Sequence, residues 1–326
     1  MKDAFSRRID YLRISVTDKC NLRCAYCMPV EGLDWIPKPE VLTYEEIREI
    51  VVQMAGLGLE RVRLTGGEPL VRRDLPSLVA MLAEVPGIRD LALSTNAVLL
   101  PPVARELRQA GLARLNISLD TLRRERFEAI ARRPARFFDA TMEGIAAAER
   151  TEFSPIKLNT VVIRGLNDDE LADFAAATLE RPWHVRFIEL MPVAENLHLS
   201  DRFVPATEIL ERLGRLGGLR PVPGPPGNGP ARYYRFEGGV GTVGVITPLS
   251  HNYCESCNRM RLTADGRLRT CLFGSFEVDL RGPLRTSGDI RPAVRRALAG
   301  KPRRHWLQLG SAAGSGGLAA LSQVGG

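Results

Sequence analysis

Six cysteines stand in this chain, and they fall into two sets of three with none left over: Cys20, Cys24 and Cys27, then Cys254, Cys257 and Cys271. The first set lies in Cys20-Asn-Leu-Arg-Cys24-Ala-Tyr26-Cys27, three thiols within eight residues. The charged N-terminus lacks the apolar core of a secretory signal, so the expected compartment is the reducing cytoplasm. Clustered thiols there serve metals or redox centres rather than disulfides. Iron–sulfur clusters are usually held by four thiolates, so three leave one iron open to a small molecule. Structural zinc is the competing use, but it prefers four ligands in paired knuckles. A three-cysteine run suits it less well.

The second set is spaced Cys254-x2-Cys257-x13-Cys271. From that spacing zinc, completed by a histidine such as His251, and iron–sulfur are equally good readings. The residues that follow, Asn258-Arg259-Met260-Arg261, favour the cluster. Alternate side chains of an extended segment point the same way, so Arg259 and Arg261 can face one anion, and arginine suits bidentate phosphate contact. Between the two sets, Gly66-Gly67-Glu68-Pro69 ends a β-run. Its glycines admit close backbone approach to a ligand, and its carboxylate can accept hydrogen bonds from an ammonium.

These residues need elements to position them. The chain has 326 residues, 44% apolar and 25% charged, ordinary for a globular protein with ample core. Its 45 basic and 38 acidic residues leave a net +7, which suits an anionic partner. The basic pairs are scattered and aromatics are only 6%, which argues against a zinc-dependent nucleic-acid-binding protein. No apolar run is long enough to span a bilayer. Short β-runs at 12–16, 61–65, 91–95, 114–118, 156–162 and 184–190 alternate with helical segments at 43–57, 74–84, 101–110, 138–150 and 168–179. Thr43 and Glu46 sit at capping-box spacing, and Asn167 is read as an N-cap. Polar and glycine-rich residues cluster just after the strands, where (β/α) barrels build their sites. Six units are too few for a closed eight-fold barrel, so an incomplete (β/α)6 barrel is expected over 1–216, with a doubly wound sheet as the alternative. A C-terminal region, 217–326, should carry the second cysteine set. It begins with a Gly/Pro-rich loop over 217–230, continues through β-runs at 231–236 and 240–247 and a helix near 289–298, and ends in a Gly/Ala/Ser-rich tail.

The C-x3-C-x2-C motif with Tyr26 before its last cysteine resembles the signature of the radical S-adenosylmethionine (SAM) enzymes. Joined with Leu12-Arg13-Ile14-Ser15, Arg63-Leu-Thr-Gly-Gly-Glu-Pro69, the Cys254 to Cys271 block and the terminal Gly325-Gly326, the chain resembles the GTP 3′,8-cyclase family of molybdenum cofactor biosynthesis over nearly its whole length. The resemblance implies two 4Fe-4S clusters: Cys20, Cys24 and Cys27 hold the SAM-cleaving cluster, and Cys254, Cys257 and Cys271 a second whose open iron binds the guanine of GTP. It implies SAM contacts from Tyr26, Gly67, Glu68, Ser118 and Met191. It implies GTP contacts from Arg13, Arg63, Thr95, Lys157, Arg186, Arg259, Met260 and Arg261. A 5′-deoxyadenosyl radical then takes hydrogen from carbon 3′ of the ribose, that carbon attacks carbon 8 of guanine, and Gly325 and Gly326 reach into the active site. The family also implies a homodimer, a flavodoxin- or ferredoxin-like electron donor, and transfer of product to cyclic pyranopterin monophosphate synthase. Another radical SAM enzyme with an auxiliary cluster, for example a peptide-modifying one, is the nearest alternative.

Overall fold

Along Leu12, Arg13, Ile14 and Ser15, apolar and polar residues alternate, yet all four are buried. Such a strand must be covered on both faces, one of them apolar and the other polar. The same alternation recurs in strand after strand, and the fold follows from it. A computed structural model describes residues 1–192, 194–227, 229–305, 321 and 323. Gly325, Gly326 and the 310–320 stretch lie outside the described residues.

The strands are β1 (Tyr11–Ser15), β2 (Arg61–Thr65), β3 (Asp90–Thr95), β4 (Arg114–Ser118), β5 (Ile156–Val162), β6 (His184–Glu189), β7 (Leu219–Val222), β8 (Arg232–Phe236), β9 (Thr242–Ile246), β10 (Arg259–Leu262), β11 (Arg267–Arg269) and β12 (Glu277–Asp279). They form one sheet in the order β12-β11-β10-β1-β2-β3-β4-β5-β6-β9-β8-β7. Strands β1 to β6 are parallel and stand in chain order. A doubly wound sheet reverses its order at a switch point; this one does not, so its crossovers all cover one face and the sheet is of the incomplete-barrel type. The C-terminal region lengthens both edges, with β10 parallel to β1 and β9 parallel to β6.

The helix-facing side chains, among them Leu12, Ile14, Val62, Leu64, Leu93, Ile117, Leu158 and Phe187, pack against Ile47, Ile50, Leu78 and Phe174 of the crossover helices in one hydrophobic core. The opposite face carries Arg13, Arg63, Asn116, Lys157 and Arg186, all buried. The helix Tyr44–Gly56 starts with the expected capping box: Thr43 Oγ1 accepts from the Glu46 N–H, and Glu46 accepts from the Thr43 N–H at 2.8 Å. Such a cap is worth about 1 kcal/mol.

Several local expectations change. Asn167 does not cap the helix after it. Its amide instead donates to the Asp120 and Val161 carbonyls, and its oxygen accepts from the Ile163 N–H, tying the end of β5 to the loop after β4. Part of the Gly/Pro-rich 217–230 loop is strand β7, paired with β8. A helix at Arg124–Ala131 and the strands β11 and β12 had no counterpart in the sequence reading, whereas β10 falls on the segment of Arg259 and Arg261, expected to be extended.

Candidate active site

Because β1 and β10 are parallel, the chain leaves β1 at one mouth of the barrel and enters β10 at the other. Cys20 follows β1, whereas Cys257 lies two residues before β10, and Cys271 follows β11, which runs antiparallel to β10. The two cysteine sets therefore sit at opposite ends of the β1–β10 pair. Four or five residues of strand separate them, roughly 15 Å at about 3.3 Å per residue. The buried cations lie between.

The first cavity is lined by Cys20, Cys24 and Cys27 with Tyr26, Gly67, Glu68, Thr95, Ser118 and Asp120, so it gathers the first cysteine set with most of the residues expected to contact SAM. Thr95, which the sequence pairs with GTP, also lies here. Glu68 is 1% exposed and accepts from Thr95 Oγ1 at 2.7 Å, from the Asn96 N–H at 2.6 Å and from the Leu70 N–H. Burial raises its pKa to about 7 against the pull of those donors. The glycines before it line the cavity and also serve a close approach within the protein: a Cβ on Gly67 would stand 2.4 Å from the Lys19 carbonyl oxygen, and one on Gly66 2.5 Å from that of Thr17. They let the 66–68 turn dock on the backbone leading into the cysteine loop, where the Gly67 and Glu68 N–H groups donate to Thr17 and Lys19.

Tyr26 donates its hydroxyl to Asp120 Oδ2 at 2.8 Å, and Asp120, pushed up to about 6 by burial, also accepts from the Val161 N–H. Met191 does not line this cavity; Asn196 Nδ2 links it to the cysteine loop by donating to both the Met191 and the Tyr26 carbonyls. Burial and the Glu68 charge push the Cys20 thiol up to about 12, and burial and Asp120 hold Cys24 well above its ordinary value. Among the described residues of the tail, Leu321 reaches this cavity.

The second cavity is lined by Cys254, Cys257 and Cys271 together with Arg259, Arg261, Tyr253, Phe273 and His305. Arg259 lies over the Tyr253 ring, 4.8 Å from its centroid. Met260, between the two arginines, is 1% exposed, and its side chain packs in the hydrophobic core. His251 is exposed and outside this cavity, so it is not placed to complete a zinc site with these cysteines; the histidine that lines the cavity is His305. Burial pushes the Cys257 thiol up, but the Lys301 and Arg259 charges outweigh it and leave the thiol below its ordinary value.

Between the cavities, register brings the cations into rows: Arg13 stands opposite Arg63 on β2 and Arg261 on β10, and Arg186 opposite Asn159. Burial lowers the basicity of Arg13, Arg63, Arg186 and Arg261, and neighbouring arginines lower it further, bringing Arg186 and Arg261 to about 10. Lys157 falls to about 7 through burial and then Arg186, Arg114 and Arg63. Its ammonium donates to the Pro226 carbonyl at 2.7 Å, and Arg186 donates to Asn116 Oδ1 at 2.6 Å. Buried like charges that depress one another make a strongly positive interior, which a polyanion would relieve.

Sequence reasoning missed Asp120 as a partner of Tyr26, although Ser118-Leu-Asp120 stood out as polar at a strand end. It also missed Arg7 and Lys301, which contact the second cysteine set. No local pattern marks them, because their partners are far away in the chain.

The Radical SAM superfamily matches residues 14–177, and the family Molybdenum Cofactor Synthesis C matches residues 183–307. A GTP 3′,8-cyclase of Pelotomaculum thermopropionicum is 48% identical over 94% of this chain and 95% of its own length. One from Moorella thermoacetica is 45% identical, with both chains fully covered. Among solved structures, Streptococcus suis SuiB superposes with a TM-score of 0.63 at 13% identity, covering 89% of this chain and 68% of that one. The same protein bound to S-adenosylmethionine gives 0.62.

Proposed function

This chain belongs to the GTP 3′,8-cyclase family of radical SAM enzymes, and from that premise we propose how its two cysteine sets and cationic interior divide the work. The enzyme converts GTP to 3′,8-cyclo-7,8-dihydro-GTP, opening molybdenum cofactor biosynthesis, and uses SAM and two 4Fe-4S clusters. The arrangement of three cysteines at each end of a sheet face bearing buried cations carries the reading.

Both donor sets fit a cluster. Each puts three thiols around one cavity, and in the first set burial opposes thiol ionisation until a cation arrives. When bound, the cluster of the first set and SAM together supply the one-electron chemistry that begins the reaction. We assign Cys20, Cys24 and Cys27 to that cluster and Cys254, Cys257 and Cys271 to the second. Glu68, a hydrogen-bonded carboxylate at the first cavity, is suited to accept from the SAM ammonium, with Gly67, Tyr26 and Ser118 beside it in the same cavity; Met191, outside the cavity lining, is assigned to SAM from the family resemblance and is tied to the cysteine loop through Asn196. Arg13, Arg63, Lys157 and Arg186, buried on one face of the sheet, are assigned to the triphosphate, which would neutralise their crowded charge, and Arg259 and Arg261, which line the second cavity, to the nucleotide beside the second set. The protein's part is to hold the ribose between the two ends and to exclude water from it.

Gly325 and Gly326 are assigned to the active site from the family resemblance; the position of Leu321 at the first cavity supports an approach of the tail. Family resemblance supports a homodimer, a flavodoxin- or ferredoxin-like donor and delivery of product to cyclic pyranopterin monophosphate synthase. Six cysteines, none of them in a disulfide, support a reducing cytoplasm. The deciding experiment is anaerobic incubation of the iron–sulfur-loaded enzyme with SAM, GTP and a reductant. Cyclised nucleotide is expected; a colourless protein with stoichiometric zinc and no product would sink the reading.

A further inference from the structure

The first cysteine set comes from one short loop, but the second draws on two stretches that the sheet joins only through the β10–β11 hairpin, where Arg261 pairs with Arg269. Two cations from the ends of the chain complete the connection. Arg7 donates from Nη1 to the Cys254 carbonyl at 2.6 Å and the Arg303 carbonyl at 2.9 Å, and from Nη2 to the Pro302 carbonyl at 2.7 Å. It is itself fixed by Asp3. Lys301, 4% exposed, donates from Nζ to the Arg259 carbonyl at 2.8 Å and the Thr270 carbonyl at 2.5 Å. Arg259 lies two residues after Cys257, and Thr270 immediately precedes Cys271.

Each of the three cysteines is thus tied, at its own backbone or within two residues, to a cation from outside the motif. Carbonyl oxygens carry only partial charge, so the two hydrogen bonds of Lys301 leave its ammonium unneutralised. Burial acts on Lys301 most and lowers its basicity; Cys257, which it also hydrogen-bonds, and Cys271 are the negative groups that oppose this most. A buried positive charge beside a thiolate-held centre favours the more negative, reduced form of that centre and strengthens its retention.

We propose that Lys301 is a positioning residue of the second cysteine set: its two carbonyl contacts hold the Cys257 and Cys271 stretches at cluster spacing, and its ammonium offsets the charge of the cluster they carry. Arg7 closes the same set over Cys254. This rests on the two-cluster reading above.

Two substitutions in the full, cluster-loaded chain separate the parts of the role. Lys301→Gln keeps an N–H donor for the carbonyls but removes the charge. It should retain iron and sulfide in both clusters while lowering the midpoint potential of the second, followed by electron paramagnetic resonance during a redox titration without GTP. Lys301→Met removes donor and charge, and should lose the iron of the second cluster while the first cluster and SAM binding remain. If the Met variant does not fold, the Gln variant decides. Loss of second-cluster iron alone from the Gln variant also supports the role. Unchanged iron and second-cluster potential in a folded Gln variant would overturn it, as would equal damage to both clusters in either variant. Because GTP is absent from these measurements, a wild-type enzyme that failed to cyclise GTP would count against the function and not against Lys301.

Discussion

The two cysteine sets have the same number of thiols and opposite surroundings. Glu68 and Asp120 line the cavity of the first, and its thiols Cys20 and Cys24 are held protonated by burial and those carboxylates. The second is ringed by Arg7, Arg259 and Lys301, which pull Cys257 the other way. An equal number of thiols therefore does not mean similar chemistry. Acidic acceptors suit a partner bearing an ammonium, and a cationic surround suits an anion. The difference is written in residues other than the cysteines, most of them distant in the chain.

The strongest way to break this contrast is to remove one thiol from each set. Cys24→Ala should abolish reductive SAM cleavage and all product, whereas Cys257→Ala should leave uncoupled SAM cleavage and end GTP conversion. Anaerobic assays of 5′-deoxyadenosine and cyclised nucleotide check both, and product from the Cys257 variant at the wild-type rate would erase the division of labour. Arg261→Ala should weaken GTP binding about tenfold or more, from the roughly 1.5–3 kcal/mol of a charged hydrogen bond, without changing SAM binding. Equal losses for the two ligands would make Arg261 a prop of the fold.

Lys157 sharpens the contrast through pH. Its pKa of about 7 in the free protein should rise when the triphosphate binds, so binding takes up a proton and affinity falls as pH increases above about 7. Below that value the lysine is already charged and its contribution is flat. Calorimetry in buffers of different ionisation enthalpy reads the uptake, and Lys157→Met should remove it; uptake surviving in that variant assigns the proton elsewhere. The smallest effect belongs to Tyr26→Phe, which deletes one hydrogen bond to Asp120. A loss of about 1 kcal/mol, or several-fold, is expected in SAM affinity, with GTP affinity unchanged in equilibrium titrations.

Much of the barrel was legible because its strands are local signals. The ends of β2, β4 and β5 fall where their apolar runs end, and Thr43 caps its helix with the Glu46 three residues on. The cysteines were legible for the same reason. What escaped depends on distant partners. Arg259-Met-Arg-Leu262 reads as extended, but its place in the sheet comes from pairing with Tyr11 to Ile14, and nothing nearby announces that edge. Asn167 has the composition of a cap, but its amide is claimed by Asp120 and Val161. Thr95 lies at a strand end as expected, yet its hydroxyl is committed to Glu68 in the first cavity. The placement of Met260 in the core follows from strand alternation once β10 is known.

The pairing of β1 with β10 also sets an order of events during synthesis. Asp10 and Asn258 are hydrogen-bonded across 248 residues, and a ribosome adding about 5–20 residues each second takes roughly ten to fifty seconds to cover that span. For that interval β1 can pair with β2 on one side while its other edge waits, and unpaired edges invite the wrong neighbour. All three cysteines of the first set have emerged long before the last of the second, and Lys301 arrives later still. A nascent chain can therefore offer the thiols of the first cluster while the barrel is still open, but cannot offer those of the second until Cys271 has been made.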